Sequence, residues 1–169
     1  FQKSFDDVYR LHPEQLQLGF LKVLKGSYME SQKERYGLVY KSRPPYEVLY
    51  TNWLSYEEMM RLKSVEEMVE VYYNSGQFSY CLRKLEEEYA SPFVLYQELG
   101  RYYENHELHL MSHSRITRYE ILLGFVREKH KERERLYREL LTFDLYLREN
   151  VKNRPEFAGE HEVSKDWLN

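Results

Sequence analysis

The sequence predicts a mainly α fold in which four to five helices follow a small α/β piece. Three observations predict it. Apolar residues recur at helical spacing from residue 55 almost to the end. Strand-favouring residues are scarce, since Val, Ile and Thr together number 16 of 169. Near the N-terminus alone, the apolar residues alternate or run together as in a strand.

Phe1, Phe5, Val8, Tyr9 and Leu11 follow the spacing of an amphipathic helix, which His12-Pro13 ends because a residue before proline is pushed out of the α region. Leu16–Lys25 begins by alternating and becomes nearly continuous, the pattern of a strand entering a core. Gly26-Ser27 breaks it, and a short helix from about 27 to 36 stops at Gly37. Residues 31–52 read as an extended or hairpin connection around Ser42-Arg43-Pro44-Pro45, where the two prolines remove ladder donors.

The helical region spans residues 53–150. Ser55 with Glu58 three residues on is a capping box, and Met59, Leu62, Val65, Met68 or Val69, and Tyr72 form one stripe before a stop at Gly76. A second helix covers about 78–89. A third takes Ser91 as N-cap and Pro92 at the first position. A fourth begins near Ser114, and Leu136, Leu140, Phe143 and Leu147 form a further stripe, on the same helix or a fifth. Residues 151–169, with Pro155, Gly159, Glu156, Glu160 and Glu162, read as a loosely ordered tail.

Composition narrows the function classes. The 17 Tyr, 8 Phe and 2 Trp beside two alanines require a bulky core and exclude disorder. One cysteine, Cys81, makes no internal disulfide and suits the cytoplasm. The longest apolar run, Ile121 to Val126, is too short to span a membrane. A net charge of -3 provides no global field for nucleic acid or an anionic membrane. The start at Phe1-Gln2-Lys3, inside a helical pattern, reads as a piece of a longer chain.

Four groups of residues carry candidate chemistry. His106, His109 and His113 are metal-ligand types, but their spacing does not give the one-face pair of H-E-x-x-H, and no metal is assigned. Between Arg115 and Arg138, eight basic residues face four glutamates, which offers Arg127, Lys131, Arg133 and Arg135 as contacts for an anion or RNA. The alternating signs favour a solvated face instead. Lys22, Lys25, Gly26 and Ser27 occupy a strand-to-helix turn of the kind whose N–H groups receive anions. Tyr73 and Asn74, in Tyr72–Phe78, sit at a helix junction where aromatic and polar groups would face a ligand.

Phe5-Asp6-Asp7-Val8-Tyr9 followed by Leu16 to Ser27 resembles the closing helix and strand of the radical S-adenosylmethionine barrel. The continuation through Pro44–Tyr50, Val65–Phe78 and Ser112–Ile116 resembles the uncharacterised C-terminal domain of cobalamin-binding radical S-adenosylmethionine proteins. Members of that group are labelled iron-sulfur oxidoreductases or likened to the anaerobic magnesium-protoporphyrin monomethyl ester cyclase. The resemblance reaches at least to Pro155 and implies that residues 1–30 are a barrel edge. It implies no cofactor in this chain and, in the parent, an iron-sulfur cluster, S-adenosylmethionine and cobalamin. The partners implied are the upstream radical S-adenosylmethionine and cobalamin-binding domains of the same polypeptide, with a small-molecule substrate. The C-x-x-x-C-x-x-C run that holds such a cluster is absent here, and Tyr28 stands where proline usually continues the Gly-Ser turn. The function expected is a non-catalytic domain that shields the active site or shapes access to it; the alternative is a helical module binding RNA or a protein partner.

Overall fold

Helix α1 (Gln2–Tyr9) is followed by an extended stretch, two short helical turns α2 (Tyr28–Ser31) and α3 (Lys33–Tyr36), and a two-stranded antiparallel sheet of β1 (Val39–Tyr40) and β2 (Val48–Tyr50). Five helices complete the order: α4 (Tyr56–Met68), α5 (Ser79–Glu86), α6 (Pro92–Asn105), α7 (Arg115–Lys129) and α8 (Glu134–Arg148). The computed structural model describes residues 1–159, so Glu160 and Glu162 of the expected tail lie outside the described residues. The mainly helical class is as the periodicity predicts. No helix of the described residues is long and apolar enough to cross a membrane.

The strand expected over Leu16–Lys25 does not form. The stretch makes one isolated antiparallel bridge, Lys22 with Glu47, flanked by Val23 N–H donating to the Tyr46 carbonyl and Val48 N–H donating to that of Leu21, both 2.9 Å. Only Val23 of its second half is buried; Leu21, Lys22, Leu24 and Lys25 face outward. A strand needs a ladder partner along its length, and the hairpin meets this stretch for only a few residues. Its first half is held by a side chain instead: Asn74 accepts from Leu16 N–H at 2.9 Å and donates to the Leu16 carbonyl at 3.1 Å, imitating a strand neighbour.

The helix caps are partly as the sequence predicts and partly supplied from far away. Ser55 and Glu58 form the reciprocal capping box of α4, and Ser114 caps α7 through Thr117 N–H. At α6 the expected Ser91 cap makes no side-chain bond to the helix. Buried Asp6 on α1 takes that place, accepting Phe93 N–H at 3.0 Å. At α5, Asp144 on α8 accepts Tyr80 N–H at 3.0 Å and Cys81 N–H at 2.9 Å. Two buried carboxylates thus tie helix N-termini to helices 63 to 87 residues distant. Burial drives Asp144 above the usual aspartate value, and the two backbone donors act against it.

Two cores result. The larger one runs from α1 through α4–α8, and the smaller one gathers Val23, Leu38, Val48 and Met59 beneath the hairpin. Tyrosine fills the larger core because its ring buries wide apolar area while its hydroxyl finds a partner. Tyr72 and Tyr103 hydroxyls pair at 2.8 Å, Tyr119 donates to the Gln77 carbonyl, and Tyr137 donates to that of Lys84. Gly100 lets α4 and α6 close on one another, since a Cβ there would lie 2.4 Å from Ser64 Oγ.

In the C-terminal third one open alternative is settled and one expectation changes. The charged stretch divides into α7 and α8 at His130, where the backbone leaves helical geometry. On α8 most of the expected stripe lies outside: Leu136, Phe143 and Leu147 are exposed and Leu140 is half-buried against the core, whereas Tyr137, Leu141 and Leu145 are fully buried. Both rows have helical spacing, and bonds from Asp144 and Tyr137 to α5 fix which one faces inward. In the described part of the tail, Phe157 and Ala158 are buried in a turn over Glu156–Ala158.

Candidate functional site

Helix α4 does not end at Met68 but continues as a π-helical turn over Val69–Asn74, a widened geometry that often marks functional positions. The turn sends Tyr72 into the core, Tyr73 toward a surface cleft and Asn74 onto Leu16. The cleft, about 460 Å³, lies between α1, this turn and α5, within the size range of small-molecule sites. Its polar and aromatic side chains include Tyr9, His12, Glu14, Tyr73, Arg83 and Glu86.

Glu86 is half-buried on α5, and its Oε1 accepts the Tyr9 hydroxyl at 2.5 Å. The Tyr9 hydroxyl also lies 3.0 Å from that of Tyr96. Because Tyr9 donates its one proton to Glu86, Tyr96 donates to Tyr9, and the three groups form a directed relay ending on the carboxyl. Burial pushes Glu86 above the ordinary glutamate value, while the Tyr9 bond and the charges of His12 and Arg83 pull the other way. Burial, with Tyr96 and Glu86 adding to it, holds the Tyr9 phenol protonated at any physiological pH. The Tyr73 ring lies 4.9 Å from that of Tyr9, and its hydroxyl donates to the Pro13 carbonyl. The arrangement can accept a donor at Glu86 and flank it with aromatic faces.

A second hollow, apolar and about 520 Å³, opens between the extended stretch, the hairpin and α4. Phe20, Leu38, Val48, Trp53 and Met59 contribute to its wall. Large apolar side chains of its wall are exposed: Phe1 at 60%, Leu21 at 43% and Trp53 at 70%. In an antiparallel pair without mutual hydrogen bonds, the peptide groups of each residue point away from the partner strand. Lys22 is in that position opposite Glu47, so its N–H and C=O face an open edge.

The remaining candidates are dispersed. Ser27 caps α2 by accepting Glu30 N–H, and Gly26 N–H donates to the Glu30 carboxylate at 2.6 Å, so an internal carboxylate occupies that turn. Lys25 is exposed beside it. His106 Nε2 pairs with Glu128 at 2.9 Å, His109 Nδ1 lies 3.4 Å from the Tyr103 carbonyl and His113 Nε2 lies 2.7 Å from that of Leu108. Among the described residues no three His, Cys, Asp or Glu side chains converge as metal ligands. Arg127 pairs with Glu134 and Arg133 with Glu88, while Lys131 and Arg135 are exposed.

Over residues 34–168 the chain matches a family described as protein of unknown function (DUF4080). The chain belongs to that family. No curated protein and no solved structure matches it. The DUF4080 match begins within α3 and takes in the hairpin and all five longer C-terminal helices. Arg83, Glu86 and Tyr73 of the polar cleft fall inside it, whereas Tyr9 and His12 precede it.

Of the cleft residues, only Tyr73 is singled out by sequence reasoning. Tyr9 reads there as one of an apolar stripe, and Glu86 and Arg83 fall within the second helix of about 78–89 with no role assigned. The i, i+3 spacing of Arg83 and Glu86 signals a shared helix face, but nothing in the sequence says that α1 crosses that face.

Proposed function

We propose that this DUF4080 chain is the non-catalytic C-terminal domain of a cobalamin-dependent radical S-adenosylmethionine iron-sulfur enzyme, covering the mouth of the catalytic barrel and shaping substrate access. One observation carries the reading. The stretch that resembles a closing barrel strand keeps an unpaired edge at Lys22 beside an apolar hollow walled by exposed Phe1, Leu21 and Trp53. An unpaired edge beside a large apolar surface is a place where further chain packs.

The residues present do not fit a four-iron cluster. There is one cysteine, and Cys81 is buried in α5 with its thiol pushed up by burial and by Asp144. Cluster, S-adenosylmethionine and cobalamin are accordingly assigned to upstream domains. The contribution of this domain is enclosure, because an organic radical must be kept from water and stray hydrogen donors. The alternative of an RNA-binding face has less support, since Arg127, Arg133 and Arg138 are neutralised by glutamates.

Anaerobic reconstitution with iron and sulfide tests the proposal. The intact enzyme should assemble a cluster and couple S-adenosylmethionine cleavage to product. Deleting residues 53–159 should leave the cluster but uncouple cleavage from product formation. A stoichiometric cluster and S-adenosylmethionine cleavage on this chain alone would overturn the assignment.

A further inference from the structure

The polar cleft carries an inference independent of any parent enzyme. Glu86 is a half-buried carboxyl with one oxygen, Oε1, taken by Tyr9. Among the described residues its other oxygen has no hydrogen-bond partner, and no Lys, Arg or His nitrogen comes within ion-pair distance of either. That free oxygen belongs to a half-buried carboxyl on the cleft wall, where an incoming N–H donor can take the place of water. The half-buried Tyr73 ring belongs to the same wall, packed 4.9 Å from the buried Tyr9 ring. A carboxylate beside a tyrosine ring selects a protonated amine, which gains from the charge and from the ring together.

The rim carries both signs, because Glu14 is exposed at the cleft together with Arg83 and His12. Arg83 is exposed at the cleft and makes no ion pair among the described residues, and His12 stands on the other side of the opening. Both lie near enough to act electrostatically on Glu86 without touching it. A molecule with an ammonium group leading and a carboxylate trailing satisfies both Glu86 and the unpaired Arg83.

We infer that the cleft between α1 and α5 binds a small zwitterion with an aromatic body, an aromatic amino acid in chemical class, its ammonium on Glu86 and its carboxylate toward Arg83. The Tyr96–Tyr9 relay fixes the Glu86 carboxyl in place and leaves its second oxygen for the ligand.

Titration calorimetry of the protein with three probes tests this: phenylalanine, phenethylamine, which lacks the carboxylate, and 3-phenylpropionate, which lacks the amine. Phenylalanine should bind best, phenethylamine more weakly and 3-phenylpropionate least. Glu86→Gln should weaken both amine probes about tenfold or more, the usual scale for breaking a partly buried charged pair. Arg83→Ala, an exposed change that spares the core, should bring phenylalanine down to the level of phenethylamine. The inference is overturned if no probe binds at millimolar concentration, if 3-phenylpropionate binds as well as phenylalanine, or if Arg83→Ala leaves the order of the probes unchanged. None of these outcomes bears on whether the domain covers a barrel, which is read from cluster and product measurements.

Discussion

The carboxylate of Asp144, on the last helix, accepts the backbone N–H of Cys81 at 2.9 Å and so caps a helix 63 residues earlier in the chain. Its second oxygen takes Tyr80 N–H. The pair turns an aspartate that the helical pattern would place on a surface into the joint between α5 and α8. Asp6 repeats the device between α1 and α6.

Asp144→Ala leaves two helix N–H groups without their acceptor in a buried site and should cost about 2 kcal/mol, the scale of a lost cap or a lost charged hydrogen bond. Asp144→Asn retains one acceptor and should cost less. Chemical denaturation of the two variants checks the order. Equal stability of Asp144→Ala and the parent protein would remove the cap from the account.

Glu47 gives a pH dependence of known sign. The Lys63 hydrogen bond, 2.5 Å long, and then the charges of Lys63 and Lys41 outweigh burial and hold Glu47 below the ordinary value of 4.5. Between the two values the unfolded chain binds more protons, so this contribution is present above about pH 4.5 and is lost as pH falls through the folded value. Thermal melting of Glu47→Gln should therefore fall off less steeply with acid than that of the parent. Asp144 has the opposite sign: its folded value is raised, and its contribution declines as pH rises through that value.

Gly100 and Ser64 should behave as a coupled pair. Gly100→Ala places a Cβ against Ser64 Oγ and should cost about 1–3 kcal/mol, the range for an overfilled core. Ser64→Ala removes the nearest atom and leaves a contact of 3.3 Å, so the double variant should recover much of the loss. Strict additivity in a double-mutant cycle would show that α4 and α6 adjust without resistance.

On α8 the structure separates two rows that the sequence does not. Leu147→Gln, on the exposed row, should change stability by about 0.5 kcal/mol or less, whereas Leu145→Ala should cost about 2–5 kcal/mol. Comparable losses at both positions would mean that the outer row is covered in solution.

That ambiguity shows what could be read from the sequence and what could not. Periodicity and local caps suffice for α4, where Ser55, Glu58 and the row Met59 to Tyr72 all serve as their spacing predicts. They fail on α8 because Leu and Tyr crowd both faces, and partners from α5 decide the burial. They fail again at Leu16–Lys25, where an alternating pattern lacks a ladder partner for most of its length and Asn74 substitutes for one. The same limit governs the cleft: Tyr73 sits at a recognisable junction, but Tyr9, Arg83 and Glu86 meet only because Asp6 docks α1 on α6.

The proposed barrel-capping role requires the open edge at Lys22 to be covered in the longer parent protein. Hydrogen exchange at the Lys22 amide, which points away from β2, tests it most directly. The account predicts rapid exchange in this chain alone and strong protection in the intact protein, with Leu21 and Leu24 becoming inaccessible together. Equal and rapid exchange in both would contradict it.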